Sequence, residues 1–416
     1  MIKDFFKTNY AKNTLYILIV ALALRLLWLA LIPVVPVSDS IMYHEFAKSI
    51  SAGNGYAYPE GHLTAYWPVG TPAIYAFLFT VFGESFLIIA IFNLIVGLLT
   101  LVLMMALAKL WFNEPTAYIV GVIYALWPSQ IQFTTILASE TIFNVFILLG
   151  IFFWYRPESN KYSNWIIASV FFVAAAYVRP IALLIPFIII GLSFLRGFDF
   201  KKVFSSAIIT VITMAILITP WAVRNYNLFG EVVLISTNGG PVFWMGNNPD
   251  STGEYMPLPE DLYFESETER ADYFKSEAVK HIKAEPGIFA KRLVKRFVDY
   301  YRSENIGVNW NIEGIKQQGW DKAVLPLKLI SSAFWVLLVL LALYGAVNLI
   351  RKEGWFNALT VTPIFALIAY NTTLHTIIAS GDRYHFPIIP FIGLLAGYSL
   401  FSLYKKKNPA EYYLNL

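Results

Sequence analysis

Two carboxylates and several guanidinium groups stand at the edges of apolar runs, where an ionised side chain is costly without a partner or a purpose. Asp39 lies in VSDSIMYHEFAKSI, directly after the first apolar run. Glu140 lies in PSQIQFTTILASETIF, where another run begins. Arg179, Arg224 and Arg383 occupy similar edges in AYVRPIALL, TPWAVRNYNLFG and GDRYHFPIIP, and His375 lies nearby. A carboxylate can take a proton from an attacking hydroxyl. Guanidinium matches phosphate in a bidentate way. Asp39 heads a segment that reads as a helix over 39–51, where the helix dipole and free N–H groups favour the ionised form. The plainer alternatives are that Ser38 or Asp39 caps a helix, that Glu140 complements a helix dipole, and that Arg179 and Arg383 reach for lipid head groups.

The elements that must position these groups are membrane spans. The chain has 416 residues, 57% hydrophobic and 14% charged, with mean hydropathy +0.58 and formal net charge +4. Soluble proteins average about 25% charged. With no cysteine, disulfides, thiolate metal sites and Cys nucleophiles are excluded. Ten spans are expected, near 14–35, 85–108, 115–135, 139–155, 163–179, 181–195, 203–223, 327–349, 355–377 and 384–404. The first reads as a retained span and not a cleaved signal. An eleventh apolar segment, 68–83, is short and opens with two prolines, and reads as interfacial or re-entrant. Charge asymmetry supports that choice. Ten spans put fourteen Lys and Arg at inner ends, among them Lys3, Lys7, Lys161, Arg196, Lys201 and Lys202. The short outer loops keep only Lys48, Arg179 and Arg383. Both termini are then cytoplasmic, and the ionisable edge residues share the outer side.

Three regions follow: a transmembrane module 1–223 containing the first outer loop 36–84, an extracytoplasmic α-rich domain 224–326, and C-terminal spans within 327–416. In the domain, Ala271, Phe274, Ala278 and Ile282 form one apolar stripe, and Phe289, Leu293, Phe297 and Tyr301 form another after a break at Pro286-Gly287. Lys291, Arg292, Lys295 and Arg296 accompany the second stripe, as in a helix lying on a membrane. An ordinary solvated helix is the alternative. The aromatic loop HLTAYWPVGTP, with Tyr66 and Trp67, suits stacking on sugar rings, though Trp and Tyr also anchor membrane interfaces.

Several motifs are absent. HEFAK has Lys48 where a zinc-protease helix needs its second His. No P-loop, G-x-G-x-x-G or D-x-D occurs, and Asn371-Thr-Thr lies inside an apolar run.

The ordered set SDSIMYHEFAKSI, AYWPVGTPAIYAFLFTVFG, PSQIQFTTILASETIF, AYVRPIALLIPF, TPWAVRNYNLFGEVVLISTNGGPVFWMGNNP and GDRYHFPIIPFIGLLAGY resembles the GT-C membrane glycosyltransferases. Within them the likeness is to bacterial and archaeal relatives of protein O-mannosyltransferases and of the lipid A aminoarabinose transferase. The resemblance implies a polyprenyl-phosphate-linked sugar donor, a glycan, lipid or protein acceptor, and an extracytoplasmic site in a plasma membrane. It implies Asp39 as general base, Glu140 as the second acid, and Arg224, Arg383, Arg179 and His375 near the lipid phosphate. Tyr43, Tyr66, Trp67 and Asn247 are candidate substrate contacts. It implies single inverting displacement, with no cofactor and no metal ligands, although some distant relatives use a divalent metal. Many relatives carry two adjacent acids after the first span; here Ser40 follows Asp39. A saccharide-lipid transporter, an O-antigen polymerase or ligase, and a structural membrane protein are the competing classes. Bare midplanes in the spans disfavour the first. Nothing in the chain points to nucleic acid.

Overall fold

The computed structural model describes residues 10–156, 162–259 and 261–407. Lys3, Lys7 and Lys161 lie outside the described residues. Described residues form helices, with no strand beyond an isolated bridge between Ala57 and Leu63. The first module contains α1 (Tyr10–Leu31), α2 (Asp39–Ser51), α3 (Gly70–Phe82), α4 (Phe86–Trp111), α5 (Glu114–Leu126), α6 (Pro128–Gln132), α7 (Ser139–Tyr155), α8 (Tyr162–Val178), α9 (Ile185–Leu195) and α10 (Phe200–Phe229). The outer region holds α11 (Gly239–Asn247), α12 (Glu267–Ala284), α13 (Pro286–Tyr301), α14 (Ile306–Asn309) and α15 (Ile312–Gln317). The chain closes with α16 (Val324–Glu353), α17 (Trp355–Val361), α18 (Ile364–Ile377) and α19 (Ile389–Lys407).

Each of the ten expected spans coincides with a helix or a broken helix. Among the described residues five helices are long and apolar enough to cross a bilayer: Tyr10–Leu31, Phe86–Trp111, Phe200–Phe229, Asp321–Glu353 and Phe386–Lys407. The others are shorter or broken. The run expected over 115–135 stops at Leu126, because Trp127 is extended before Pro128. Pro128–Thr135 then meets Ser139–Tyr155 at a bend of 117°. The run expected over 355–377 breaks at Thr362-Pro363, and α10 carries the 223/224 boundary on to Phe229.

Helix α19 is the centre of the bundle. Its apolar stretch is 78% buried, against 22% for α10, whose Ile208, Val211, Ile212 and Ile216 face outward. Small residues let backbones approach, as is usual between helices in lipid. Gly397 meets Val120, Gly393 meets Met104, and Gly345 abuts the Leu395 carbonyl.

In the outer region the break falls at Glu285, and Phe274 and Ala278 are buried as the stripe requires. The expected basic face is corrected at one position: Arg296 is fully buried. It donates to Thr376 O at 3.1 Å, Ile377 O at 2.7 Å, Asn247 Oδ1 at 2.9 Å, and Gly246 O. The carbonyls at the C-terminus of α18 carry partial negative charge, so a cation fits there. Burial, with Arg292 nearby, pulls the Arg296 pKa down to about 10. Val294, Phe297 and Val298 remain exposed on the opposite face of α13.

Candidate active site

The short stretch between α6 and α7 leaves backbone groups at 136–138 without a helical partner. Side chains from neighbouring helices satisfy them, as irregular backbone at membrane depth requires. Asn93 donates to Ile136 O at 2.8 Å, Ser40 to Leu137 O at 2.9 Å, and Tyr75 Oη accepts from Ala138 N at 3.1 Å. These bonds fix where α7 begins and thus where Glu140, in its first turn, points. They also tie α2 to the bend through Ser40, the residue after Asp39. Ser38, before the helix, has φ 53°, the one non-glycine residue with positive φ among the described residues. Its side chain makes no capping bond, so the serine is not there as a cap. Left-handed backbone at a non-glycine residue costs about 1–3 kcal/mol and persists where surrounding contacts impose it.

The turn carrying Arg383 is fastened to the outer region. Ser380 N donates to Gly253 O at 3.0 Å and its hydroxyl to Arg296 O at 2.9 Å. Asp382 Oδ2 accepts from Asn305 N at 2.7 Å. His385 Nδ1 donates to Tyr300 O at 2.8 Å, and its ring stacks 4.1 Å from Trp335. Trp127 donates to the buried Glu304 at 2.8 Å behind this turn.

Four charged groups converge. Arg383 Nη1 reaches Asp39 Oδ2 at 2.5 Å, and its Nε reaches Glu140 Oε1 at 2.5 Å. Arg179 Nη2 reaches the same Glu140 oxygen at 2.5 Å, while its Nε donates to Ser139 Oγ at 3.0 Å. The Asp39–Arg383 pair joins residues 344 positions apart. The Glu140 side chain is 0% exposed; those of Asp39 and Arg383 are 25% and 20% exposed. The cluster is therefore sealed at Glu140 and open at Asp39. Trp310 lies with its ring 4.6 Å from the Arg383 guanidinium. Burial opposes the charge on Arg383, but Glu140 and Asp39 outweigh it and hold that group well above its ordinary pKa. Burial, reinforced by Asp39, raises the Tyr43 pKa, keeping its phenol protonated beside the cluster.

The other candidates fall at different distances. His375 is buried behind the cluster, its ring 4.9 Å from Tyr384 and 6.1 Å from Tyr300. Arg224 does not join these ion pairs: it donates to Thr64 O at 2.7 Å and Tyr56 O at 3.3 Å, 4.8 Å from the Trp221 ring. It clamps the first outer loop, helped by Glu267, which accepts from Thr64 Oγ1 at 2.5 Å, Ala65 N at 3.0 Å and Thr237 Oγ1 at 3.0 Å. Tyr66, in that loop, lies under Arg270 at 4.6 Å and packs edge-on against Trp67. Asn247 is buried with Arg296, remote from the carboxylates in its hydrogen bonds. Trp310, Tyr384 and Ser139 join the site without having been singled out in the sequence. Trp310 lay in a polar stretch of the outer region, with only its type to mark it.

Asp39 and Glu140 do not make a metal site as they stand. The Arg383 guanidinium fills the space between them, and among the described residues no three His, Asp or Glu side chains converge.

Glu140 balances two guanidinium groups in a buried place. Breaking such a group by removing one partner costs about 3–5 kcal/mol. Glu140→Gln is expected to lower the thermal unfolding midpoint markedly, measured by tryptophan fluorescence in detergent. Glu45→Gln, on the partly exposed face of α2, should leave it unchanged.

These helices adopt the fold of the oligosaccharyltransferase structures to which the chain is similar. Residues 67–223, less than half of the chain, match the family described as dolichyl-phosphate-mannose-protein mannosyltransferase. The chain is similar to the archaeal oligosaccharyltransferase AglB from Archaeoglobus fulgidus, in complex with an inhibitory peptide and a dolichol-phosphate. That match has TM-score 0.60 and 13% identity, and covers 99% of this chain and 52% of that one. A second Archaeoglobus fulgidus oligosaccharyltransferase structure, a complex with Zn and sulfate, matches with TM-score 0.57 and 15% identity over 94% and 49%. ArnT from Cupriavidus metallidurans bound to undecaprenyl phosphate matches with TM-score 0.45 and 14% identity over 93% and 77%. The chain spans about half the length of the oligosaccharyltransferase structures. No curated protein matches it by sequence.

Proposed function

We propose that this chain is an inverting glycosyltransferase that moves a sugar from a polyprenyl-phosphate-linked donor to a hydroxyl of a glycan, lipid or protein acceptor. The observation that carries this reading is the Asp39–Arg383–Glu140–Arg179 cluster, assembled from four distant segments. Asp39 takes the acceptor hydroxyl proton. The acceptor oxygen forms a bond to the anomeric carbon as the bond from that carbon to the phosphate oxygen breaks, and its electron pair leaves on the phosphate.

Charge balance explains why an acid and a guanidinium share this place. At rest two carboxylates offset two guanidinium groups. When Asp39 takes a proton, Arg383 loses one counterion just as the departing phosphate gains charge. The guanidinium is thereby released toward the leaving group, where preorganised charge is most effective. For the same reason donor should bind first, because its phosphate draws Arg383 from Asp39 and frees the base. Initial-rate and product-inhibition patterns should fit ordered addition. A ping-pong pattern would contradict single displacement.

Sidedness follows from the helices that carry the cluster. Glu140 and Arg383 sit at the starts of α7 and of the stretch leading to α19, whose far ends carry Arg156 and Lys405, Lys406 and Lys407. Arg179 likewise stands at one end of a stretch that finishes at Arg196. This supports a cytoplasmic basic side and an extracytoplasmic site in a plasma membrane of ten spans.

The reaction needs no metal step in this reading. Transfer of radiolabelled sugar should persist at the same rate in millimolar EDTA. Loss of activity in EDTA with recovery on adding a divalent cation would overturn that part of the proposal. The reading as a whole is tested by incubating purified protein with radiolabelled polyprenyl-phosphate sugars and candidate acceptors, with release of polyprenyl phosphate as the result expected.

A further inference from the structure

At the end of the bundle opposite the carboxylate cluster lies a cavity of about 330 Å³. Helix α7 has Glu140 in its first turn and Trp154 in its last, 14 residues or about 21 Å away. Trp154, Trp165, Arg196, Asp199, Lys202 and Phe198 line the cavity between the ends of α7, α8 and α9 and the start of α10. The two indoles form one wall, with ring centroids 6.5 Å apart.

Charge in this cavity is unbalanced. Among the described residues no carboxylate pairs with Arg196 or Lys202 within ion-pair distance. Asp199 commits one oxygen to the backbone N–H of Lys202, at 3.0 Å, as the helix cap. Lys201 adds a further exposed cation alongside. The chain on either side is apolar: Phe194, Leu195, Phe198, Phe200 and Phe204, at the end of α9 and the start of α10, are all more than half exposed. A water-soluble anion gains nothing from such surroundings. An amphiphile gains from both, with its phosphate among the cations and its chains along the phenylalanines.

We propose that this cavity is a binding site for the phosphate head group of an anionic membrane lipid, drawn from the leaflet opposite the catalytic cluster. Basic pockets between spanning helices take anionic head groups, and aromatic side chains such as Trp154 and Trp165 sit naturally at head-group depth. The site is independent of the sugar-transfer reading, since none of its residues touches the Asp39 cluster.

The test is native mass spectrometry of the protein released from nanodiscs holding equal phosphatidylglycerol and phosphatidylcholine with identical chains. Wild type should retain phosphatidylglycerol selectively. Each cation near a membrane surface is worth about fivefold. Lys202→Gln should therefore cut retention about fivefold, and Arg196→Gln with Lys202→Gln about 25-fold. Lys201→Gln, at an exposed cation outside the cavity lining, should cost clearly less than Lys202→Gln. Lys202 is exposed, so the single variant reads the site even where the double variant fails to fold. Equal retention of both lipids, an unchanged Lys202→Gln variant, or an equal loss in Lys201→Gln would overturn the proposal. Inorganic phosphate forms the second arm: if it stabilises wild type but not Lys202→Gln, and no lipid is retained, the ligand is a free anion and the lipid assignment fails.

Discussion

Asp39→Asn is expected to cut transfer severely while leaving donor binding intact. The amide has the same shape and cannot take the acceptor proton. General-base assistance is typically worth 10²–10⁴-fold, and turnover should fall within that range. Donor affinity should hold or rise, because Arg383 is relieved of one carboxylate and keeps only Glu140. The pair of measurements separates base from binder: steady-state transfer from a radiolabelled polyprenyl-phosphate sugar, and equilibrium binding of the same lipid. Normal turnover in this variant would put the base elsewhere. Reduced binding alongside lost turnover would make Asp39 a donor contact.

Arg383→Gln has the second large effect and the opposite signature. The guanidinium spans two carboxylates through different nitrogens and lies against Trp310. Truncating one partner of a buried charge pair costs about 2–5 kcal/mol, or roughly 30- to 5,000-fold in kcat/KM. The loss should appear in donor KM as well as in kcat, because in the proposed reaction the group both holds the phosphate and gains strength as it departs. Arg383→Lys should recover part of it: one ammonium keeps the charge but cannot bridge Asp39 and Glu140 together. An unchanged donor affinity in Arg383→Gln would move the phosphate site away from this residue. The same substitution at Arg224 should act differently. Arg224 holds backbone carbonyls of the first outer loop, so its loss should loosen the Tyr66–Trp67 segment and lower stability, with a smaller effect on donor KM.

The helices were legible in the chain because each is a local pattern. Apolar runs and the Pro286-Gly287 break are read within a few residues, and the helix expected at 39–51 begins at Asp39, whereas the breaks at Pro128 and Pro363 interrupt runs expected to be continuous. The ionisable edge residues were legible for a related reason: a charge beside an apolar run stands out against its surroundings. Their partners were not. Arg179 and Arg383 both converge on one oxygen of Glu140, while Arg224 bonds to loop carbonyls, although all three arginines stand at similar edges. Arg296 looked like one of four basic surface residues and is buried on the carbonyls of α18. Trp310 and Glu304, from the outer region, frame the Arg383 turn without any local signal.

The amino-acid sequence alone determined that this is a membrane chain of helices with most of its acids and arginines, Arg25 within α1 apart, outside the apolar runs or at their edges, because burial of apolar length and the cost of charge in lipid act residue by residue. Only the tertiary structure decided which charges meet. An ion pair between residues 344 positions apart depends on how α2, the bend before α7 and the turn before α19 are held by Ser40, Asn93, Ser380 and Asp382. Those bonds join segments remote in the chain, and no local pattern encodes them.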